Sequence, residues 1–310
     1  APPVVVKGQT SALPKMVFFG GGDSERSIKV DPKINISLCV MQGNVKVNGW
    51  DRNEVRVFVS SGTTVGFRVQ QKNQKTGDPV WIMVLPDSGE KNNFIPSGEC
   101  VSGDEIEIDA PVNATLNLKG QEVSIVVDGI RRVGIKNAGG DISLRNISDG
   151  INATTYRGDL TVEQSSGAMN LENTSGNILA FDASPSEIGD IFRAKTTSGS
   201  ISVQKIAHRQ IEVNSISGTV AYNGDILNGG SYRFGTSNGS IKLWLPETSS
   251  CMLTASYGFG AFSSDIPYKL ATENITPGPV KNIAATLGKG GDASLRLTTN
   301  NGSISIKKQQ

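Results

Sequence analysis

A single histidine, His208, limits the catalytic chemistry that this chain could perform. A Ser–His–Asp or Cys–His mechanism would have to use this residue as its general base. It lies in Ala207-His-Arg-Gln-Ile211, away from any nucleophile-elbow motif, and this context favours a surface or corner histidine at the entry to a strand. One histidine also excludes a multi-histidine metal site, and the cysteines are too dispersed for a zinc motif. We therefore expect no catalytic residues, no cofactor and no metal.

Carboxylates beside glycines are the next group that could do chemistry. Asp141, Asp159 and Asp292 each follow a glycine, a position where Asp commonly forms turns. If the turns at Asp141 and Asp159 stack on one another, the two carboxylates could bind Ca²⁺. The alternative is a ladder of solvated turns, which is favoured because the Ca²⁺-binding nonapeptide pattern is absent.

Three tryptophans, Trp50, Trp81 and Trp244, could form a platform on which sugar rings stack. Trp244 stands between Leu243 and Leu245, so strand alternation places it on the outer face, and it is the candidate glycan contact. The alternative is packing beneath a loop or the N-terminal segment. The basic pairs Arg131-Arg132 and Lys307-Lys308 have no aromatic residues between them, and the net charge is +1, so nucleic-acid binding is not expected.

The three cysteines bear on the compartment of the protein. In an oxidising compartment, Cys39 and Cys100 are a candidate disulfide and Cys251 is a buried free thiol. The alternative is three reduced, buried thiols. The sequence starts Ala1-Pro-Pro-Val, a small-residue start like that left by signal-peptide cleavage, which predicts an exported protein of the periplasm, cell surface or extracellular space.

The elements that must position these residues come from one repeated phrase: Gly, a small or polar residue, an apolar residue, a polar residue, an apolar residue. It starts at Gly43, Gly140, Gly158, Gly167, Gly176, Gly199, Gly218, Gly239 and Gly302. The period of two predicts strands with one apolar face, and glycine permits a tight corner. Corner spacings of about 20 residues predict an all-β, single-chain parallel β-helix, or β-solenoid.

The rest of the sequence divides into three regions. Residues 1–26 form an irregular extension whose apolar run Met16, Val17, Phe18 and Phe19 is a candidate assembly segment. Residues 27–110 are an N-terminal β region or cap continuous with the solenoid, and residues 111–310 form the regular solenoid. A coil is predicted to run from Gly239 to Gly258, and a side loop at about 267–289.

Other segments depart from the repeat without a strong pattern of their own. Residues 86–103 are predicted to form a loop or insertion. Residues 185–191 and 283–287 are the closest candidates for a helix, at about one turn each.

Several longer phrases together carry a family resemblance. There are four of them: Gly43-Asn-Val-Lys-Val-Asn-Gly-Trp-Asp-Arg-Asn-Glu-Val-Arg-Val57, the Ser-Gly-x-Ile repeats, Ser237-Asn-Gly-Ser-Ile-Lys-Leu-Trp-Leu-Pro246 and Asn301-Gly-Ser-Ile-Ser-Ile306. They resemble the DUF4097 putative-adhesin family over residues 30–306. The resemblance implies a β-helical protein of the bacterial envelope or exterior, related to "toastrack" envelope domains.

These observations predict a non-catalytic scaffold or adhesin-like interaction surface. Its expected partners are other copies of itself, joined head to tail or through the N-terminal segment, envelope proteins or surface glycans. The alternatives are a β-helical carbohydrate-active enzyme, with clustered acidic and basic groups on an outer face, and a glycan-binding module. No stretch of 18 apolar residues occurs, so no transmembrane segment is expected.

Overall fold

The computed structural model describes residues 22–87, 100–274 and 280–309. These residues form 25 strands in one hydrogen-bonded sheet. The strands are β1(Ser24–Lys29), β2(Asn35–Trp50), β3(Glu54–Ser60), β4(Val65–Lys72), β5(Pro79–Pro86), β6(Val101–Pro111), β7(Thr115–Asp128), β8(Arg132–Gly139), β9(Ile142–Arg145), β10(Ile151–Arg157), β11(Leu160–Glu163), β12(Met169–Ser175) and β13(Ile178–Ala183). They continue with β14(Ile191–Ser198), β15(Ile201–Ile206), β16(Gln210–Ser217), β17(Val220–Asn223), β18(Ser231–Asn238), β19(Ile241–Leu245), β20(Cys251–Phe259), β21(Phe262–Ser264), β22(Tyr268–Asn274), β23(Lys281–Leu287), β24(Ser294–Asn301) and β25(Ile304–Lys308).

The sheet bends at the glycine corners into two parallel ladders, so each coil contributes one strand to each ladder. The first ladder runs β5, β2, β7, β8, β10, β12, β14, β16, β18, β24, β20. The second runs β6, β2, β7, β9, β11, β13, β15, β17, β19, β25, β21. The two long strands β2 and β7 cross the corner and belong to both ladders. The fold is the β-solenoid that the repeat predicts.

The core is a set of apolar columns that run along the interior. One column contains the first apolar residue after each corner: Ile142, Leu160, Ile178, Ile201, Val220, Ile241 and Ile304. All seven are at most 1% exposed. Parallel register places like side chains on each other at about 4.8 Å, which is why each phrase keeps the same alternation.

The layers do not follow the order of the sequence at either end. The last coil, β24/β25, lies between β18/β19 and β20/β21, so Asn301 pairs with Asn238 on one side and Phe259 on the other. At the other end, β2 lies between β5/β6 and β7. The prediction of a coil from Gly239 to Gly258 is therefore wrong. The corner glycine of β20/β21 is Gly260, and it stacks on Gly302.

Antiparallel strands cover both ends of the stack. β4 pairs with β5, and β3 and β1 extend the second ladder beyond β6. At the other end, β23 and β22 extend the first ladder beyond β20. The segment predicted as a side loop at 267–289 is thus largely this hairpin, and the helix candidate at 283–287 is a strand because its alternating Ile283, Ala285 and Leu287 face the core. The second helix candidate, 185–191, forms turns and bends.

The predicted regions map onto this architecture unevenly. Residues 1–21, with Met16, Val17, Phe18 and Phe19, lie outside the described residues, as does most of the predicted loop at 86–103. Pairing continues across the predicted boundary at residue 110, because β2 bonds to both β6 and β7. In the described part of the chain, no helix is long and apolar enough to cross a membrane.

Candidate functional site

A buried polar ladder lines the interior of the corner, and the sequence analysis missed it. Its members are Asn137, Thr155, Asn173, Thr196, Ser215, Thr236 and Thr299, each buried and in register from coil to coil. Thr236 donates to the carbonyl of Gly218 and Thr299 to that of Gly239, both at 2.9 Å. The carbonyls of five corner glycines, Gly158, Gly176, Gly199, Gly218 and Gly239, each accept a side chain from the next layer. Thr155 instead donates to the carbonyl of Arg157 in its own strand. The signal was present in the sequence, since every member stands three residues before a corner glycine.

A second ladder lies outside the same corner and involves the predicted calcium ligands. The Asp141 carboxylate accepts a hydrogen bond from the backbone N–H of Asp159, and Asp159 accepts one from that of Asn177, both at 2.8 Å. Asn177 repeats the contact with Ser200 at 3.0 Å. These oxygens therefore bind backbone N–H groups of the next coil. Asp292 lies exposed in a different turn, and no acidic, His or Cys cluster suited to a metal occurs among the described residues.

His208 is buried, so the prediction of a surface position is wrong. Its Nε2 lies 2.9 Å from the carbonyl oxygen of Gly167, a residue 41 positions away, and its ring packs 5.9 Å from that of Phe192. A carbonyl only accepts, so Nε2 carries the proton. Nδ1 is buried without a hydrogen-bond partner in the described part of the chain, and burial lowers the pKa of His208. The contacts are those of a packed core residue.

Two of the three cysteines are joined. Cys39, in β2, and Cys100, just before β6, form a disulfide with Cα atoms 4.6 Å apart and a sequence separation of 61 residues. It links the two layers at the N-terminal end of the stack. Cys251 is buried and free, and burial raises the pKa of its thiol to about 12. At neutral pH this thiol is protonated and unreactive.

The structure does not bring the three tryptophans together. Trp50 is the last residue of β2, and Trp81, in β5, pairs with Asn35, the first residue of β2. Their indole N–H groups donate to Glu54 O at 2.7 Å and Ser37 Oγ at 3.0 Å, respectively. Trp244 lies in β19, seven strands along the second ladder from β2. It faces outward and is half-buried, and its indole N–H has no partner among the described residues.

Trp244 lines a groove at the point where the second-ladder strands end. The groove has a volume of about 910 Å³ and crosses the ends of β15, β17, β19, β25 and β21, which are consecutive layers. At about 4.8 Å per layer, this spans roughly 19 Å along the rod. Exposed Asn223 and Lys307 flank Trp244 in direct register, and exposed Gln204 and Asp225 line the same groove. A shallower depression over Ser202 and Ala221 opens on its other side.

The predicted basic pairs are split between two places. Arg131 and Arg132 both bind the carboxylate of Asp149, at 3.0 and 2.8 Å. Lys307 and Lys308 line the groove, and Lys308 pairs with Glu247. Arg131 and Arg132 thus share one carboxylate, whereas Lys307 and Lys308 lie in the same groove as Trp244.

Comparisons with known proteins give one family match and two similar crystal structures. A family model described as Toastrack DUF4097 matches residues 14–307. One similar crystal structure is that of a putative cell adhesion protein from Clostridium sporogenes ATCC 15579, with 10% identity, a TM-score of 0.27 and coverage of 93% of this chain and 100% of that chain. Another is that of a putative lipid binding protein from Parabacteroides distasonis ATCC 8503, with 16% identity, a TM-score of 0.35 and coverage of 94% of this chain and 98% of that chain. A search of curated protein sequences finds no match. Because the family model spans nearly the whole chain, this protein belongs to the Toastrack DUF4097 family.

Proposed function

We propose that this protein is a non-catalytic scaffold outside the cytoplasm that binds its partners, as an adhesin does, through the lateral faces of a rigid rod. The observation that carries the proposal is the stack itself. Eleven parallel layers share one core, and antiparallel strands cover both of its ends. Hydrogen bonds then run along the rod in both ladders, so the outer faces are held in a fixed periodic arrangement.

The disulfide supports a location in the periplasm, at the cell surface or in the extracellular space. Disulfides persist in oxidising compartments and are rare in the cytosol. Cys39–Cys100 joins two layers near the end of the stack, where loss of a strand would expose the core. Envelope proteins and surface glycans are the partners that fit this location.

The test compares lateral and end variants in binding to isolated cell envelopes of the source organism. Lys195→Glu reverses an exposed charge on the outer face of the first ladder, and Lys242→Glu reverses one on the outer face of the second. Leu270→Lys changes the end strand β22. We expect a lateral variant to weaken co-sedimentation at least about threefold, with Leu270→Lys equal to wild type. Absence of envelope binding, or a loss confined to Leu270→Lys, contradicts the proposal.

A second candidate function, self-assembly into filaments, is favoured by one feature of the C-terminal end. Strand β22 is exposed throughout, and Tyr268 and Leu270 lie on the same face as the buried Leu287 and Ala285 of β23. Such an edge can pair with a strand from another copy. Light scattering of the wild type and of a variant lacking residues 1–26 tests whether the protein assembles and whether its N-terminal segment joins the copies. Polymers that persist in the deletion exclude the N-terminal segment as the joint, and a monomeric wild type excludes assembly.

A further inference from the structure

The groove at Trp244 has the composition of a carbohydrate site. We propose that it binds a neutral glycan chain lying along the rod axis, an inference that rests on the proposed interaction function and names its ligand class. Trp244 is half-buried in the groove and its indole N–H has no partner in the described part of the chain, whereas the N–H groups of Trp50 and Trp81 are satisfied within the protein. A sugar presents C–H bonds to an aromatic face and hydroxyls to polar groups around it, so both features of Trp244 are used.

The polar side chains around the indole repeat with the coils. Gln204, Asn223 and Trp244 occupy the same outward position in β15, β17 and β19, because they are in direct register. Successive positions are therefore about 4.8 Å apart. A pyranose unit in an extended glycan is about as long as one layer, so each sugar meets a new layer of side chains.

The groups in the groove are suited to vicinal hydroxyls. The Asn223 side-chain oxygen accepts a hydrogen bond from Gln309, which fixes the amide and leaves its NH₂ group as a donor. The exposed carboxylates of Asp225 and Asp265 are acceptors. Amides and carboxylates can each bond two neighbouring hydroxyls, which gives orientation as well as affinity.

The charge of the groove favours a neutral ligand. Lys308 is paired with Glu247, and Lys205 lies 3.8 Å from Asp182. Lys307 is then the lysine of the groove without an ion pair in the described residues, and the carboxylates of Asp225 and Asp265 line the same groove. With the partners Asp182 and Glu247 included, three lysines stand against four carboxylates, and this excess of negative charge opposes the binding of a polyanionic glycan.

Tryptophan emission of the purified full-length chain, titrated with defined tetrasaccharides, tests the proposal. The probes are cellotetraose, maltotetraose and chitotetraose as neutral chains and tetragalacturonate as the anionic one. The variants are Trp244→Ala, Gln204→Ala and, as a matched control, Trp81→Ala, which removes an exposed indole far from the groove. Gln204 is exposed and makes no side-chain hydrogen bond in the described residues, so its variant folds even if Trp244→Ala does not.

We expect at least one neutral tetrasaccharide to change the emission. Trp244→Ala should weaken binding at least about tenfold and Gln204→Ala about two- to tenfold, with Trp81→Ala equal to wild type. No change with any neutral probe up to about 10 mM, undiminished binding by Trp244→Ala, or binding of tetragalacturonate alone overturns the inference. Envelope binding by the wild type in that event leaves the proposed scaffold function standing, so the two failures are distinguishable.

Discussion

Removing one hydroxyl of the interior polar ladder should destabilise the whole stack. Thr299 is 2% exposed, and its Oγ1 donates to the carbonyl of Gly239 at 2.9 Å. This is the hydrogen bond that the structure shows for that carbonyl among the described residues. In Thr299→Val the side chain keeps its shape, so no cavity forms, but the partly buried carbonyl of Gly239 loses its donor.

The size of the effect follows from that unpaired carbonyl. A fully buried acceptor without a partner costs about 1–3 kcal/mol, and because the Gly239 carbonyl is partly buried we expect the lower part of that range, about 1–2 kcal/mol. For a domain of this size each 1 kcal/mol lowers the melting temperature by about 2–4 °C, so the expected decrease is between about 2 and 8 °C. The matched control is Thr298→Val at the preceding residue, which is exposed on the outer face, and this change should alter the free energy of unfolding by less than about 0.5 kcal/mol.

Thermal and urea unfolding of the three proteins, followed by circular dichroism, measure this difference. The expected order of stability is wild type equal to Thr298→Val, with Thr299→Val clearly lower. If Thr299→Val unfolds together with Thr298→Val, the interior hydroxyls do not stabilise the corners, and the reasoning about the ladder is refuted.

Three further perturbations test other parts of the structure. In Gly218→Ala, at φ +152, the new Cβ would lie 2.0 Å from a backbone oxygen of the preceding coil, so the free energy of unfolding in urea should decrease by at least about 3 kcal/mol. The control Gly229→Ala has open space around its Cβ and should lose only about 1 kcal/mol. Equal losses would count against the close stacking of corners. Burial lowers the pKa of His208 below its unfolded value of about 6.5, so the unfolded chain binds more protons and the free energy of unfolding should decrease as the pH falls below about 6.5. His208→Gln should remove this pH dependence. Identical pH profiles of the variant and the wild type would contradict the burial of His208. Replacing Cys39 and Cys100 by Ser opens a loop of 61 residues and should lower the free energy of unfolding by about 4 kcal/mol, and an unchanged urea midpoint would show that the link adds nothing.

The repeat phrase predicts most of the fold because it encodes local geometry. Each phrase states a corner and an alternating strand, and parallel stacking of like phrases then follows from the size of the coil. The sequence also contains the polar ladder, three residues before each of seven corner glycines, but predicting it required the recognition that Thr236 and Thr299 face inward despite their polarity.

The order of layers at the ends could not be predicted, because the phrases are interchangeable. The phrases at Gly239 and Gly302 share one local pattern, which does not say on which of them the corner at Gly260 stacks. The contacts between coils decide that β24/β25 lies in the middle. The groove depends on this order, since it places Lys307 rather than Ser264 or Asp265 beside Trp244. His208 was misplaced for a similar reason, because its partner Gly167 is 41 residues away.

The location of the protein in the cell shows whether it acts as a scaffold outside the cytoplasm. Cells of the source organism are quenched in acid, fractionated, and treated with an alkylating reagent under denaturing conditions before and after reduction. We expect the chain in the envelope or medium, with Cys39 and Cys100 protected from alkylation until reduction and Cys251 alkylated at once. Recovery from the cytoplasm with all three thiols alkylated before reduction would contradict an extracytoplasmic scaffold.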